Sequence, residues 1–469
     1  MAVNVAGETL LLAEYAAALS YEQIPLPVLR RAKDCLIDTV AAAVYGHDFP
    51  WSRIVLGLAR SRGPGPCGIL GETGPAARGV PAEAAALANG VLAHASELDS
   101  LGPPGTGAHP GAALVPAALA AAQETGRGGR ELLAAIVAGT EILFRVGKAT
   151  RHSPESRGFH APGLTGPFGS AVAAGRMFGL DARRMACALG IAGSLCGGLL
   201  EFARSGEGGM VKRLHLGRAA ESGIVAARLA AAGFTGPTTV LEGEFGFLNA
   251  YCPERDPAAL TRGLGAGFET LTLCLKRYPC HITAHTPVSA VQTLRAEHAL
   301  QPEGIARVTV TGSPAMAQLH GRQDPQDLVM AQYSIPFCVA VALLRDADDP
   351  NSFGEASLHD PDVRALCRRI EVVDGGLHGW ETVTRIALID GRTLERYQGD
   401  LPGTPASPLD VQGLRAKFLR LTGRLARQEA GALHAKLERI ENETDLRWLG
   451  SARPGAAGER IGPLAGGGG

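Results

Sequence analysis

From residue 8 to about 250 the chain is a succession of alanine- and leucine-rich segments whose apolar residues recur at helical spacing. The clearest are 25–46, 81–98, 131–148, 181–195 and 216–232, each bounded by glycine or proline. This pattern predicts helix packed on helix. Local signals agree: Pro110 and Pro116 are placed in or near a first turn, Asp181 to cap the helix behind it, and Gly233 to end the helix before it. Past about 272 the texture changes. Ala306–Gly312 (ARVTVTG), Arg369–Asp374 (RIEVVD) and Thr382–Gly391 (TVTRIALIDG) are β-branched alternating runs that end in turn residues, with helical stretches at 285–300, 327–345 and 360–368 between them. Helical periodicity returns at 409–440, after the proline-rich link 402–408. The fold class expected is mainly α: a large all-helical domain built from 1–271 and 408–450, with a smaller α+β domain, 272–407, inserted in it. The tail 451–469 is rich in Gly, Pro and Ala and reads as disordered.

Composition narrows the function. The 469 residues carry 45 basic against 46 acidic side chains, a net charge of −1, which argues against a nucleic-acid binder. Nine cysteines, odd in number and without a C-x-x-C pair, suggest neither a disulfide framework nor a metal–thiolate cage, so a reducing compartment is expected. The N-terminal stretch has Glu8 and Glu14 where a signal peptide needs apolar residues, and the uncharged runs are short or broken by Gly and Pro. The expectation is a cytoplasmic protein with no membrane span. Only six of the 45 basic residues are lysine, at 33, 148, 212, 276, 417 and 436. In so lysine-poor a chain, a lysine outside a plain helix is a candidate for chemistry that arginine cannot do. Lys33, Lys148, Lys417 and Lys436 read as ordinary helix residues.

Three histidine-bearing segments stand out: His94-x-x-Glu97-x-Asp99, Gly107-Ala108-His109-Pro110-Gly111 and Gly158-Phe159-His160-Ala161-Pro162-Gly163. A histidine between Gly and Pro has little core to fill, whereas His94 reads equally as a helix-face residue. His94, Glu97 and Asp99 lack partner spacing for a metal, and none is expected. Two further segments share a pattern, Val211-Lys212-Arg213-Leu214-His215 and Leu275-Lys276-Arg277-Tyr278-Pro279-Cys280-His281, followed by His285. A lone Lys-Arg pair is a solvated turn by default, but two of six lysines in such similar settings point to function. Lysine and histidine together bind carboxylates and move a proton beside them. A dinucleotide fingerprint, a phosphate loop and a nucleophile elbow are all absent.

The runs GFHAPGLTGPFGSAVAAGRMFGLDARRMACALGIAGSLCGGLLEF (158–202), MVKRLHLGRAAESGIVAARLAAAGFTGPTTVLEGEFGFLNAY (210–251), LKRYPCHITAH (275–285) and AQYSIPFCVAVAL (331–343) closely resemble the MmgE/PrpD family, in order, over about residues 8–440. That family includes 2-methylcitrate dehydratases, cis-aconitate decarboxylases and iminodisuccinate epimerases. The resemblance implies a homodimer whose inserted α+β domain is a lid, and a polycarboxylate bound between the domains without metal or organic cofactor. By position it implies that His109, His160, Lys212, Lys276 and His281 fall on active-site positions. Asp99 would orient a histidine, and Glu97, Arg213, His215, Arg277, His285 and Phe337 would line the substrate. Two departures are visible. The family's Asp-aromatic-Asp-Asp-Thr is here Glu97-Leu98-Asp99-Ser100-Leu101, and Phe337 stands where a tyrosine is common. The expected activity is a cofactor-independent lyase of the 2-methylcitrate dehydratase type. Its alternatives are a dicarboxylate epimerase, a cis-aconitate decarboxylase-like enzyme and an inactive carboxylate-binding homodimer.

Overall fold

The computed structural model of the chain describes residues 7–73, 77–205 and 209–450. The tail expected to be disordered, 451–469, lies outside the described residues. The first part of the chain forms α1 (Glu8–Ala18), α2 (Leu26–Tyr45), α3 (Pro50–Ser61), α4 (Ala82–His94), α5 (Pro110–Thr125), α6 (Gly129–Ala149), α7 (Ala161–Phe178), α8 (Ala182–Leu195), α9 (Met210–Ala231) and α10 (Phe247–Tyr251). Asp181 caps α8 by accepting from the Arg184 amide at 2.8 Å, and Gly233 follows α9 with φ +95°. Pro116 lies inside α5 rather than in its first turn.

Helices α4, α5, α6 and α7 are buried around most of their circumference, so their sequences are apolar on every face and dominated by small residues. Small residues let backbones approach closely. A Cβ added at Gly217 of α9 would lie 2.5 Å from the Leu87 carbonyl oxygen, and one added at Gly223 would lie 2.2 Å from Ser170 Cβ. Helix α9 is thereby pressed against α4 and α7, which sets its first turn beside the last turn of α4.

The later part forms α11 (His285–His298), β1 (Ile305–Gly312), α12 (Pro314–His320), α13 (Leu328–Tyr333), α14 (Ile335–Leu344), α15 (Glu355–Leu358), α16 (Pro361–Cys367), β2 (Ile370–Asp374), β3 (Thr382–Leu388) and β4 (Thr393–Gln398). The sheet order is β2-β1-β3-β4, with β2 parallel to β1 and the other pairs antiparallel; Val310 lies opposite both Val372 and Thr384. Strand β4 escaped the sequence reading because it is an edge strand with exposed, charged alternate positions such as Glu395. The run 327–345 breaks at Ser334, whose hydroxyl accepts from the Phe337 amide at 3.0 Å and starts α14 afresh before Pro336. Between β1 and α13 the chain forms the short helix α12, which the sequence pattern does not mark.

Helices α17 (Val411–Leu421) and α18 (Arg427–Leu437) are the last α-helices among the described residues. Leu414, Phe418, Leu421 and Leu437 join the same core as the first helices, whereas Tyr278 to Leu388 supply a second core. The two connections between these bodies run side by side: the Leu275 amide donates to the Gly403 carbonyl at 2.9 Å, and Arg31 of α2 donates to the carbonyls of both Leu273 and Gly403. Small apolar clusters seal the seam, one joining Trp51, Val91 and Ala95 to Leu328 and Val329, the other joining Leu101 and Cys274 to Ile282 and Leu401.

Candidate active site

The helix expected over 81–98 stops at His94, and the turn that follows carries two carboxylates. Glu97 adopts a left-handed backbone conformation, φ +60°, which is costly for a residue with a side chain and is held only where surrounding contacts demand it. Asp99, with no exposed surface, accepts from His94 Nδ1 at 2.9 Å through one oxygen and from His109 Nδ1 at 2.8 Å through the other. A carboxylate only accepts, so both rings carry their proton on Nδ1 and leave Nε2 unprotonated in the neutral form. His109 occupies the N-cap position of α5, ahead of Pro110. Burial alone would raise the Asp99 carboxyl, but the two imidazoles outweigh it and hold the carboxyl well below its ordinary range.

Three cations converge on Glu97. Lys212 and Arg213, in the first turn of α9, reach one carboxylate oxygen, and Lys276 reaches the other at 3.0 Å. All three are almost fully buried. Cations at a helix N-terminus oppose the macrodipole, so this turn breaks a local rule at the point where charge is needed. Burial pushes both lysines below their ordinary range and Arg213 to about 10. Three cations stand against Glu97 and Asp99, leaving a buried positive excess that a bound anion would neutralise.

The smaller α+β body supplies the opposite wall. His281, partly exposed, hydrogen-bonds Thr283 Oγ1 at 2.8 Å, and its ring lies 4.4 Å from both the His320 and Tyr333 rings, which are 5.5 Å from each other. His320 donates from Nδ1 to the Tyr333 carbonyl at 3.0 Å, and Lys212 Nζ lies 4.7 Å from the Tyr333 ring centre. Gln332 staples the domains: its side-chain oxygen accepts from Arg213 at 2.6 Å, while its amide donates to the carbonyls of Ser96 and Pro279. His160, at the N-cap position of α7, shares a 2.9 Å hydrogen bond with His215 between their Nδ1 atoms, and Phe202 covers both rings. Burial lowers His160 and His281 well below the ordinary imidazole range and brings His215 and His320 to about 4. These four rings are therefore neutral before an anion arrives. A small cavity of about 20 Å³, lined by Phe202, Leu319, Arg322, Met330 and Tyr333, borders this wall.

Asp99, His109, His160, Lys212, Lys276, His281, Glu97 and His215 are thus brought together, in a different division of labour from that expected. Glu97 faces the cations, not a substrate carboxylate, and Arg213 spends its donors on Glu97, Gln332 and the His94 carbonyl. Three expected lining residues lie elsewhere. Arg277 turns outward into a two-point pair with Asp348 at 2.6 and 2.5 Å; His285 is buried inside the smaller body against Tyr278; Phe337 is 2% exposed in that body's core. Arg277 and His285 project from other sides of the segment that carries Lys276 and His281, and Phe337 faces from α14 into the second core. The sequence reading missed Tyr333, His320, Gln332 and the role of His94. It also misread Lys417, which is buried and ion-paired with Asp38. Lysine scarcity was a usable signal for Lys417; nothing local marked His320.

His94, Asp99 and His109 have donor atoms within 4.8 Å of one another, a set able to hold a cation. Both Asp99 oxygens already accept imidazole N–H groups at ordinary hydrogen-bond lengths, so the geometry matches an aspartate orienting two histidines.

Comparison with known proteins now bears on this arrangement. Residues 11–260 match the MmgE/PrpD N-terminal domain and residues 278–441 the MmgE/PrpD C-terminal domain. The chain belongs to the MmgE/PrpD family. Its MmgE/PrpD C-terminal match includes α17 and α18, which pack on α2 of the first body. A cis-aconitate decarboxylase of Aspergillus terreus is 29% identical over 391 residues, 78% of each chain. The cis-aconitate decarboxylase-like protein oryM of Aspergillus oryzae is 28% identical over 473 residues, covering 94% of this chain and 93% of that one. The human cis-aconitate decarboxylase is 29% identical over 328 residues, 66% of each chain. Family membership supports a lyase-type role at the coarse level. Among the described residues no helix is long and apolar enough to cross a membrane.

Proposed function

We propose that this MmgE/PrpD member is a lyase for a small di- or tricarboxylic acid, and that it releases CO₂ from an unsaturated tricarboxylate of the cis-aconitate type. The observation that carries the reading is the trio Lys212, Arg213 and Lys276 sharing Glu97 in a buried pocket. A substrate carboxylate beside the two lysines supplies the missing negative charge. When the bond to the departing carboxylate breaks, its electron pair moves through the double bond to the carbon beside a second carboxylate. There it resides as an enediolate until a proton arrives. Fixed cations out of water stabilise that charge more than they stabilise the ground state. His281 and Tyr333 on the lid, and His109 oriented by Asp99, are the groups placed to deliver and recover the proton. The names of the fungal and human relatives support this choice of chemistry. Loss of water from a citrate-type acid is the second reading, favoured by the His160–His215 pair, whose shared proton is suited to a departing hydroxyl. The enzyme is proposed to work as a homodimer, which light scattering checks.

The test is incubation in D₂O with cis-aconitate, 2-methylcitrate and iminodisuccinate in turn, followed by NMR. Release of CO₂ from cis-aconitate with one deuterium entering the product is expected. Water loss from 2-methylcitrate selects the second reading, and deuterium exchange with inversion but no lost group marks an epimerase. Three unchanged acids sink the lyase reading.

A further inference from the structure

Lys417 lies far along the chain from every residue of the site, on the helix that follows the lid. It is buried, and its ammonium group makes three contacts: Asp38 Oδ1 at 2.5 Å, the Leu98 carbonyl at 3.1 Å and the Lys276 carbonyl at 2.6 Å. An ammonium has three N–H donors, and these partners use all of them. Leu98 sits between Glu97 and Asp99, and Lys276 is one of the three cations on Glu97. One point charge therefore grips the backbone of both segments whose side chains meet at the centre of the pocket. Asp38, with no exposed surface, is the charge that keeps the ammonium in place. A planar guanidinium, wider and with a fixed fork, does not match three acceptors converging on one nitrogen. This explains why an arginine-rich chain keeps a lysine here.

We propose that Lys417, held by Asp38, is a positioning residue that sets the separation of Lys276 from the Glu97–Asp99 turn. Its effect on turnover rests on the lyase reading above; its effect on geometry does not. Because Lys417 enters from α17, which packs on α2 of the first body, the chain's return from the lid completes the pocket. A cavity of about 240 Å³, lined by Leu98, Pro279, Ala416, Lys417 and Leu421, borders the Lys417 side chain.

The test uses the full chain with [15N]lysine, whose six residues give a small set of side-chain NMR signals assignable by substitution. Lys417→Met combined with Asp38→Asn removes both charges together, so net charge near Lys276 is conserved. Expected are a folded protein, a Lys276 titration midpoint moved upward by at least half a pH unit as its burial relaxes, and kcat for cis-aconitate lowered at least 30-fold. Lys417→Ala should regain at least tenfold in turnover, and its Lys276 midpoint should move back toward the wild-type value, when propylammonium is supplied through the 240 Å³ cavity. An unmoved Lys276 midpoint in the folded double variant overturns the proposal, as does turnover within threefold of an active wild type. If the double variant does not fold, the amine arm decides: restored turnover and midpoint support positioning, and no response overturns it. If the wild type acts on none of the acids, the lyase reading fails and the Lys276 midpoint alone decides this one.

Discussion

Replacing Glu97 by glutamine keeps the side-chain shape and removes the one carboxylate that Lys212, Arg213 and Lys276 share. At the 3.0 Å separation of Lys276 from Glu97, an effective dielectric of about 20 gives roughly 5 kcal/mol for that pair before desolvation. Desolvation cancels much of this in the intact pair, but removing one partner strands the others, at a typical net cost of about 3–5 kcal/mol. With an unfolding entropy of about 2 cal/mol/K per residue over 469 residues, the loss corresponds to a fall in Tm of roughly 3–5 °C. The deficit should depend on pH. Without Glu97 the buried lysines, already below their ordinary range, lose protons that the unfolded chain still binds, so the variant regains stability as pH rises from 7 to 9. A polycarboxylate such as tricarballylate, bound at 100 times its Kd, adds about 2.7 kcal/mol and should raise the variant's Tm by a few degrees. Calorimetry or fluorescence melts at pH 7 and 9, with and without the ligand, measure all three effects. A Glu97→Gln protein as stable as wild type in ligand-free buffer at both pH values would refute the idea that Glu97 is the resident counter-ion of an anion pocket.

The smaller body sets the ring of Tyr333, not position 337, against His281. Tyr333→Phe should lower kcat roughly 10- to 100-fold with little change in Tm. Phe337→Tyr, by contrast, puts a hydroxyl into a core position 2% exposed and should cost about 1–3 kcal/mol without gain in turnover; equal behaviour of the two variants contradicts this. Binding should also take up protons. Burial holds His215 and His320 near 4 and His160 and His281 well below their ordinary range, and a bound anion raises all of them toward neutrality. Titration calorimetry at pH 6.5 in buffers of different ionisation enthalpy should report uptake of about one proton per polycarboxylate; zero uptake or release counts against the site. Without ligand the same groups destabilise the fold as pH falls from about 6.5 toward 4, because the unfolded chain binds protons there and the native state does not.

Most helices were legible because helical periodicity is a local property. The segments at 25–46, 131–148 and 181–195 appear within about two residues of their observed bounds, while the helix expected over 216–232 begins six residues earlier, at Met210, where three polar side chains interrupt the apolar stripe. Strand β4 and the break at Ser334 were not legible, since an edge strand has little apolar pattern and a side-chain cap is one hydrogen bond. The sequence by itself determined the chemistry present: histidines in Gly/Pro loops, two Lys-Arg-x-His-like motifs and a lysine count so low that each lysine carried information. Tertiary structure alone decided which of those groups meet. Close packing of Gly217 on α4 sets Lys212 beside Glu97, the left-handed turn at Glu97 aims its carboxylate at three cations, and Lys417 reaches the turn from a helix far along the chain. Neighbours in sequence such as Arg277 and Phe337 point elsewhere, because side-chain direction at a helix end or bend follows backbone angles that only the packed chain fixes.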